Sequence, residues 1–250
     1  MNNKNSVIQS LWIGKKITNL EQLSIVSFLK NGHSFHLYIY DDVKHLPEGV
    51  KVLDASKIIP PDKIFKYKEN GSYAGFANLF RYKLLLENGG WWVDTDVICL
   101  HPFQLKPEHI FASEFSIQIQ ANIVASCIIK APIGSEIMQY CYDFASKCDT
   151  EELRWGETGP KLMTKAVIHF GMQKYVAAPH LFCPIEATKW YLLKEDLTDN
   201  PHNKKIISKL KQAFAVHFWN ELWRQSNTKK NADFPTNSIY EILKSRYLSK

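Results

Sequence analysis

Residues 6–42 switch between two apolar patterns, and this switch restricts the architecture more than any other feature of the chain. "SVIQSLWIG" (6–14) is a short apolar run closed by Gly14. "LEQLSIVSFLKNG" (20–32) carries apolar residues at 20, 23, 25, 26, 28 and 29, the spacing of a helix that ends at Asn31-Gly32. "SFHLYIYDD" (34–42) is aromatic and alternating, as in a strand. Strand, helix and strand in that order make a βαβ unit, so the expected class is α/β with a mostly parallel central sheet.

The rest of the chain extends this frame. Residues 50–59 read as a weaker strand or turn, and 60–73 as a loop. "AGFANLFRYKLLLEN" (74–88) is apolar nearly all round, so it predicts a buried helix. Gly89-Gly90 supplies its stop. "WWVDTDVICL" (91–100) and "IVASCIIKAP" (123–132) predict buried strands, and 134–148 predicts a helix. Residues 156–170 add helix and loop, and 213–223 read as a strand running into an aromatic loop. In the final helix, 238–248, Ser238 and Glu241 have capping-box spacing. With no repeat and no linker, one domain is expected over 1–250.

Composition narrows the partners. No run reaches the roughly 18 apolar residues of a membrane span, and the N-terminus lacks signal-peptide patterning. A cytoplasmic protein is therefore expected. Five cysteines with no Cys-x-x-Cys pair suggest reduced core thiols. The net charge of +6 suits an anionic partner. No basic-aromatic signature for nucleic acid stands out. Lysines along 204–211, between apolar residues 206, 207, 210 and 214, fit a solvated helix face or a peripheral contact with anionic lipid at the inner membrane face.

Asp94-Thr95-Asp96 raises the chemical question. In a continuous strand, Asp94 and Asp96 would share a face with Trp92. Two ionised carboxylates this close need water or a cation beside them. At the carboxyl end of a sheet strand, a Mg²⁺ or Mn²⁺ ion holding a diphosphate answers that need. A pair of surface aspartates in a turn would satisfy the same tripeptide. Asn78 and Arg81, three apart, share a helix face. Arg81 could fork onto phosphate or pair with one of the aspartates. Trp12 could stack on a nucleobase or belong to the core.

"ANLFRYKLLLENGGWWVDTDV" resembles the central block of the DXD-containing sugar-transferase superfamily, which includes glycosyltransferase family 32 and the sugar-transferring domains of clostridial toxins. Arg81, Gly89, Gly90, Trp92, Asp94 and Asp96 carry that resemblance. "LWIG" (11–14), "RWGETGPKLMTKAV" (154–167) and "AVHFWNELW" (215–223) resemble further blocks of the same group. The resemblance implies a GT-A-type nucleotide-sugar-binding fold, with a nucleotide-binding half at about 7–100 and an acceptor-side half at about 101–250. It implies a retaining transfer of a hexose from a nucleotide-sugar, a UDP-sugar above all, to a glycan or lipid-linked glycan, with Mn²⁺ or Mg²⁺ as cofactor. Arg81, Asp94 and Asp96 would be catalytic. Leu11, Trp12, Asn78, Arg81, Trp92, Thr158, Gly159 and Trp223 would bind substrate, and Asp96 and His217 would hold the metal. Asn78 departs from the group's pattern, which has Asp there. Two competing readings stand beside this one. One is a haloacid-dehalogenase-type phosphatase, which also uses Asp-x-Asp after a buried strand. The other is a non-catalytic sugar-nucleotide or glycan-binding protein.

Overall fold

The structure, a computed structural model, describes residues 7–198 and 201–249, without the side chains of 201–205. The predicted βαβ unit is present: β1 (Ile8–Trp12), α1 (Asn19–Lys30) and β2 (Phe35–Ile39), with β3 (Lys51–Asp54) beyond it. Three parallel pairings join β3 to β2, β2 to β1, and β1 to β4 (Gly90–Val93). Two further strands, β6 (Ile110–Ser116) and β7 (Ala121–Ala131), extend the sheet by antiparallel pairing. The order is β3-β2-β1-β4-β7-β6. The chain runs outward from β1 through β2 to β3 and then returns to the other side of β1. That reversal opens a crevice between the carboxyl ends of β1 and β4, the usual ligand position in open α/β sheets.

Alternation along β4 supplies both faces of the sheet. Trp91 enters a core with Ile8, Leu20, Phe28 and Tyr240. Trp92 enters the opposite core with Leu11, Phe80, Met138 and Met163. The first core carries α1 and α8 (Ile239–Leu248). The second carries α2 (Ala74–Asn88), α3 (Glu136–Ser146) and α4 (Leu162–His169).

The predicted strand over 91–100 is corrected. It breaks into β4 and β5 (Val97–Cys99), and Asp94-Thr95-Asp96 forms the turn between them. Asp94 N donates to Cys127 O at 2.9 Å, and Val97 N donates to Asp94 O at 3.0 Å. The first bond anchors the turn to β7. The second reverses the chain, so that β5 leaves the main sheet and pairs with β8 (Ala215–His217). Strand alternation therefore does not explain why the two carboxylates meet; the turn does.

Other differences are local. β6 and the start of β7 lie outside the strands read from the sequence. The aromatic loop after 217 is instead the short helix α7 (Asn220–Gln225). Ser238 accepts from Glu241 N, but Glu241 turns its carboxylate to Phe234 N, so only half of the expected capping box forms. A complete capping box forms at Thr18 and Glu21, starting α1. In α6 (Pro201–Gln212), Ile206 and Leu210 pack on the core while Ile207 is exposed. The side chains of Lys204 and Lys205 lie outside the described residues. Among the described residues, no helix is long and apolar enough to cross a membrane.

Candidate functional site

A cavity of about 1540 Å³ opens at the crevice. That exceeds the roughly 300–1,000 Å³ of a typical small-molecule pocket. Asp94 and Asp96 lie in it, beside Trp12 at the end of β1.

Each carboxylate has its own support. Trp92 Nε1 donates to Asp94 Oδ1 at 2.7 Å, and Arg81 Nη1 lies 3.1 Å from the same oxygen. Arg81 Nε also donates to Ala77 O at 3.2 Å, and Nη1 donates to Ser126 O. Only 4% of the Arg81 side chain is exposed. The guanidinium lies over the Trp92 ring at 4.8 Å. Arg81 is thus held in one orientation and its charge is matched by Asp94. Asp96 is 5% exposed and accepts from Asn220 N at 2.6 Å. His217 Nε2 lies 3.2 Å from the same Asp96 oxygen. Trp219 makes the Asn220 contact possible: its φ of +56° is in the left-handed region, which costs a bulky residue roughly 1–2 kcal/mol. Such strain is found where the surrounding structure needs a particular backbone direction.

The electrostatics separate the two aspartates. Burial pushes the Asp94 carboxyl up, more than Arg81 draws it down, and the Asp96 charge adds to the rise. Burial also opposes ionisation of Asp96, but the imidazolium of His217 and the bonds from His217 and Asn220 outweigh it and hold Asp96 below its ordinary value. Burial disfavours charge on His217, yet Asp96 raises it well above its ordinary value. Ligand atoms of Asp94, Asp96 and His217 lie within 4.8 Å of one another. Two hard carboxylates and an imidazole suit a divalent cation such as Mn²⁺ or Mg²⁺.

The other residues of interest take different places. Leu11, Trp12, Asn78, Trp92 and Trp223 line the cavity. Trp12 is half-buried, and its Nε1 has no hydrogen-bond partner among the described residues. Thr158 and Gly159 lie one layer back, in the turn over Glu157–Lys161, which kinks at Gly159 where the backbone leaves helical angles. Asn78 Nδ2 donates to Thr158 Oγ1 at 3.4 Å, and Tyr82 Oη donates to Thr158 O at 2.6 Å. A Cβ on Gly159 would come within 3.0 Å of Asn78 Nδ2, so glycine lets this turn close on α2. Trp223 is fully buried against Phe218, Phe234 and Tyr240, with its Nε1 unpartnered among the described residues. Trp219 packs against His217 with centroids 4.1 Å apart and the rings tilted by 46°, and its Nε1 donates to Ile185 O.

Sequence reasoning missed Glu114, Ser126, Lys230 and the Asn220 amide. Glu114 lines the cavity, and burial pushes its carboxyl up. Lys230 reaches Glu21 and lies 5.8 Å over the Trp12 ring. A backbone amide such as that of Asn220 leaves no signal in a sequence.

Residues 16–116 match the family described as "Glycosyltransferase sugar-binding region containing DXD motif". The matched segment contains Asn78, Arg81, Asp94 and Asp96 and ends before Thr158 and His217. No curated protein matches the chain. Among solved structures, it is similar to one titled "PaToxG Glycosyltransferase", at 14% identity over 84% of this chain and 86% of that one, with a TM-score of 0.49. It is also similar to a transferase mutant, at 12% identity over 68% and 87%, with a TM-score of 0.45. A third is the apo-form glycosyltransferase GlyE of Streptococcus pneumoniae, at 11% identity over 98% of this chain and 63% of that one, with a TM-score of 0.41.

Proposed function

We propose that the chain is a GT-A-type, metal-dependent glycosyltransferase that moves a hexose from a UDP-sugar to a glycan acceptor with retention of configuration. One observation carries this reading. A DXD turn within the matched sugar-binding region lies at the carboxyl end of β4, with His217 beside it, in a cavity roomy enough for a donor and an acceptor.

Asp96 and His217 would hold the divalent ion, with Asp94 adjoining it. An ion bound there neutralises the charge that develops on the leaving diphosphate. Trp12 presents an aromatic face for the base, next to Leu11. Arg81 positions the donor indirectly, by fixing Asp94 and the wall at Ser126. Asn78 faces the sugar side, and Thr158 and Gly159 hold it in place. Trp92 orients Asp94, and Trp223 supports the Trp219–Asn220 turn from beneath. In the transfer, the bond from the anomeric carbon to the phosphate oxygen breaks and a bond to the acceptor oxygen forms on the same face. The acceptor's hydroxyl proton passes to the departing phosphate. Lysines 161, 165, 229 and 230 on the cavity wall suit anionic substrates.

A thermal-shift panel of nucleotide-sugars with and without Mn²⁺, followed by donor-hydrolysis assays, tests the reading. It predicts a UDP-sugar shift that requires Mn²⁺ and slow release of free sugar. Phosphatase activity with no response to any sugar donor would replace it with the phosphatase reading. A Mn²⁺-dependent shift without turnover would leave a binding protein, a reading that Asn78 keeps open.

A further inference from the structure

His217 has a second cluster on its other side. Cys127 on β7 and Cys183, just after α5 (Pro179–Phe182), are both buried, with Sγ atoms 3.8 Å apart. One ligand atom from each of Cys127, Cys183 and His217 lies within 4.8 Å of the others. Nε2 of His217 is engaged by Asp96. The Cys127 thiol already interacts with this imidazole, although Nδ1 is buried and meets no hydrogen bond of full geometry among the described residues, so Nδ1 is the nitrogen left for the sulfurs.

We propose that Cys127, Cys183 and His217 form a binding site for a soft divalent ion of the zinc class, distinct from the carboxylate site and sharing its imidazole.

Three features support it. The first is the sulfur spacing. A disulfide needs about 2.05 Å between sulfurs. Two thiolates on one tetrahedral zinc at about 2.3 Å each are about 3.8 Å apart. The observed 3.8 Å excludes a disulfide; it is the spacing of two hydrogen-bonded thiols and also the spacing the second arrangement needs, so zinc could enter without moving the sulfurs. The second is the donor set, because two thiolates and an imidazole select zinc-class ions over Mn²⁺ or Mg²⁺. The third is the outer partner. A zinc-bound histidine usually gives its other N–H to a carboxylate, which fixes its tautomer. Asp96 stands in that place, 3.2 Å from Nε2. Access is also present, since Cys127 and His217 both line the cavity. Binding replaces two S–H bonds by two metal–sulfur bonds and the Nδ1–H bond of the His217 imidazolium by a metal–nitrogen bond, releasing three protons, so no oxidant is needed.

The shared imidazole has a consequence. With Nδ1 on the soft ion, Nε2 carries its proton and donates to Asp96, so His217 no longer serves an ion at the aspartates. Zinc at this site should therefore weaken Mn²⁺ binding at the aspartate pair.

The test is cobalt titration of the purified, reduced full-length protein. One equivalent of Co²⁺ should produce thiolate-to-cobalt charge-transfer absorption, and one equivalent of Zn²⁺ should bleach it. Cys127→Ser and Cys183→Ser should each lose the band while keeping a wild-type circular dichroism spectrum. Asp94→Asn should keep it, which separates this site from the carboxylate site. Asp96→Asn should keep the band with metal affinity roughly 10- to 100-fold weaker, the usual effect of losing an outer partner. Absence of thiolate absorption in the wild-type protein would overturn the proposal whatever the variants do. A band that survives in the Cys127→Ser/Cys183→Ser double variant would also overturn it. Neither result bears on sugar transfer, because no step of the assay involves a nucleotide-sugar.

Discussion

At the scale of single residues, the site depends on two carboxylates kept in different electrostatic states. Asp96 has an imidazole and a backbone amide on one oxygen; Asp94 has an indole and a buried guanidinium. Trp12→Ala should weaken UDP-sugar binding by roughly 1–3 kcal/mol, the scale of one base–aromatic stack. A fall in melting temperature with unchanged affinity would return Trp12 to the core. The Asp96 environment also gives a pH prediction. Its folded-state pKa is depressed, so its contribution to stability is present above the ordinary carboxylate value and is lost as pH falls through the folded one. Wild type should therefore be more stable than Asp96→Asn at neutral pH, and the gap should narrow as pH drops below about 4. A gap that stays constant in melts across that range would mean the carboxylate gains nothing from His217.

At the scale of elements, the turn after α2 determines where the aspartates lie. Gly89 has a φ of +62°, and a Cβ there would come within 2.8 Å of Ile133 N. Gln9 Nε2 donates to Gly89 O at 2.7 Å, joining this turn to β1. The Gly89 ψ of −166° puts it in a region essentially reserved for glycine, so Gly89→Ala should destabilise the fold by about 1–3 kcal/mol from the backbone term alone. The melting temperature should drop by several degrees. An unchanged melting temperature would show that the turn relaxes freely. The helix, its glycine stop and the start of β4 were legible in the sequence because their signals are local: a helical run apolar nearly all round, then Gly-Gly, then two tryptophans. The break at Asp94 was not legible, because "WWVDTDVICL" alternates equally well as one strand. What breaks it is pairing with β7 and β8, which lie far along the chain. β6 was missed for a different reason: "IFASEFS" has no regular alternation, and a local hairpin with β7 across residues 117–120 supplies its order.

At the scale of the whole molecule, parallel strand order places one crevice between β1 and β4, and both cores stabilise the elements that line it. The βαβ start made the sheet legible, and several second-half elements were legible from their patterns; the place of His217 in the site was legible only as resemblance, and the Asn220 amide not at all. The central claim is that Asp94, Asp96 and His217 make donor binding depend on a divalent ion. Calorimetric titration of UDP-sugar into wild type and Asp96→Asn, each with Mn²⁺ and with chelator, tests it most directly. The account predicts tight binding only for wild type with Mn²⁺, with the variant matching the chelated protein. Equal affinity in all four titrations would contradict it.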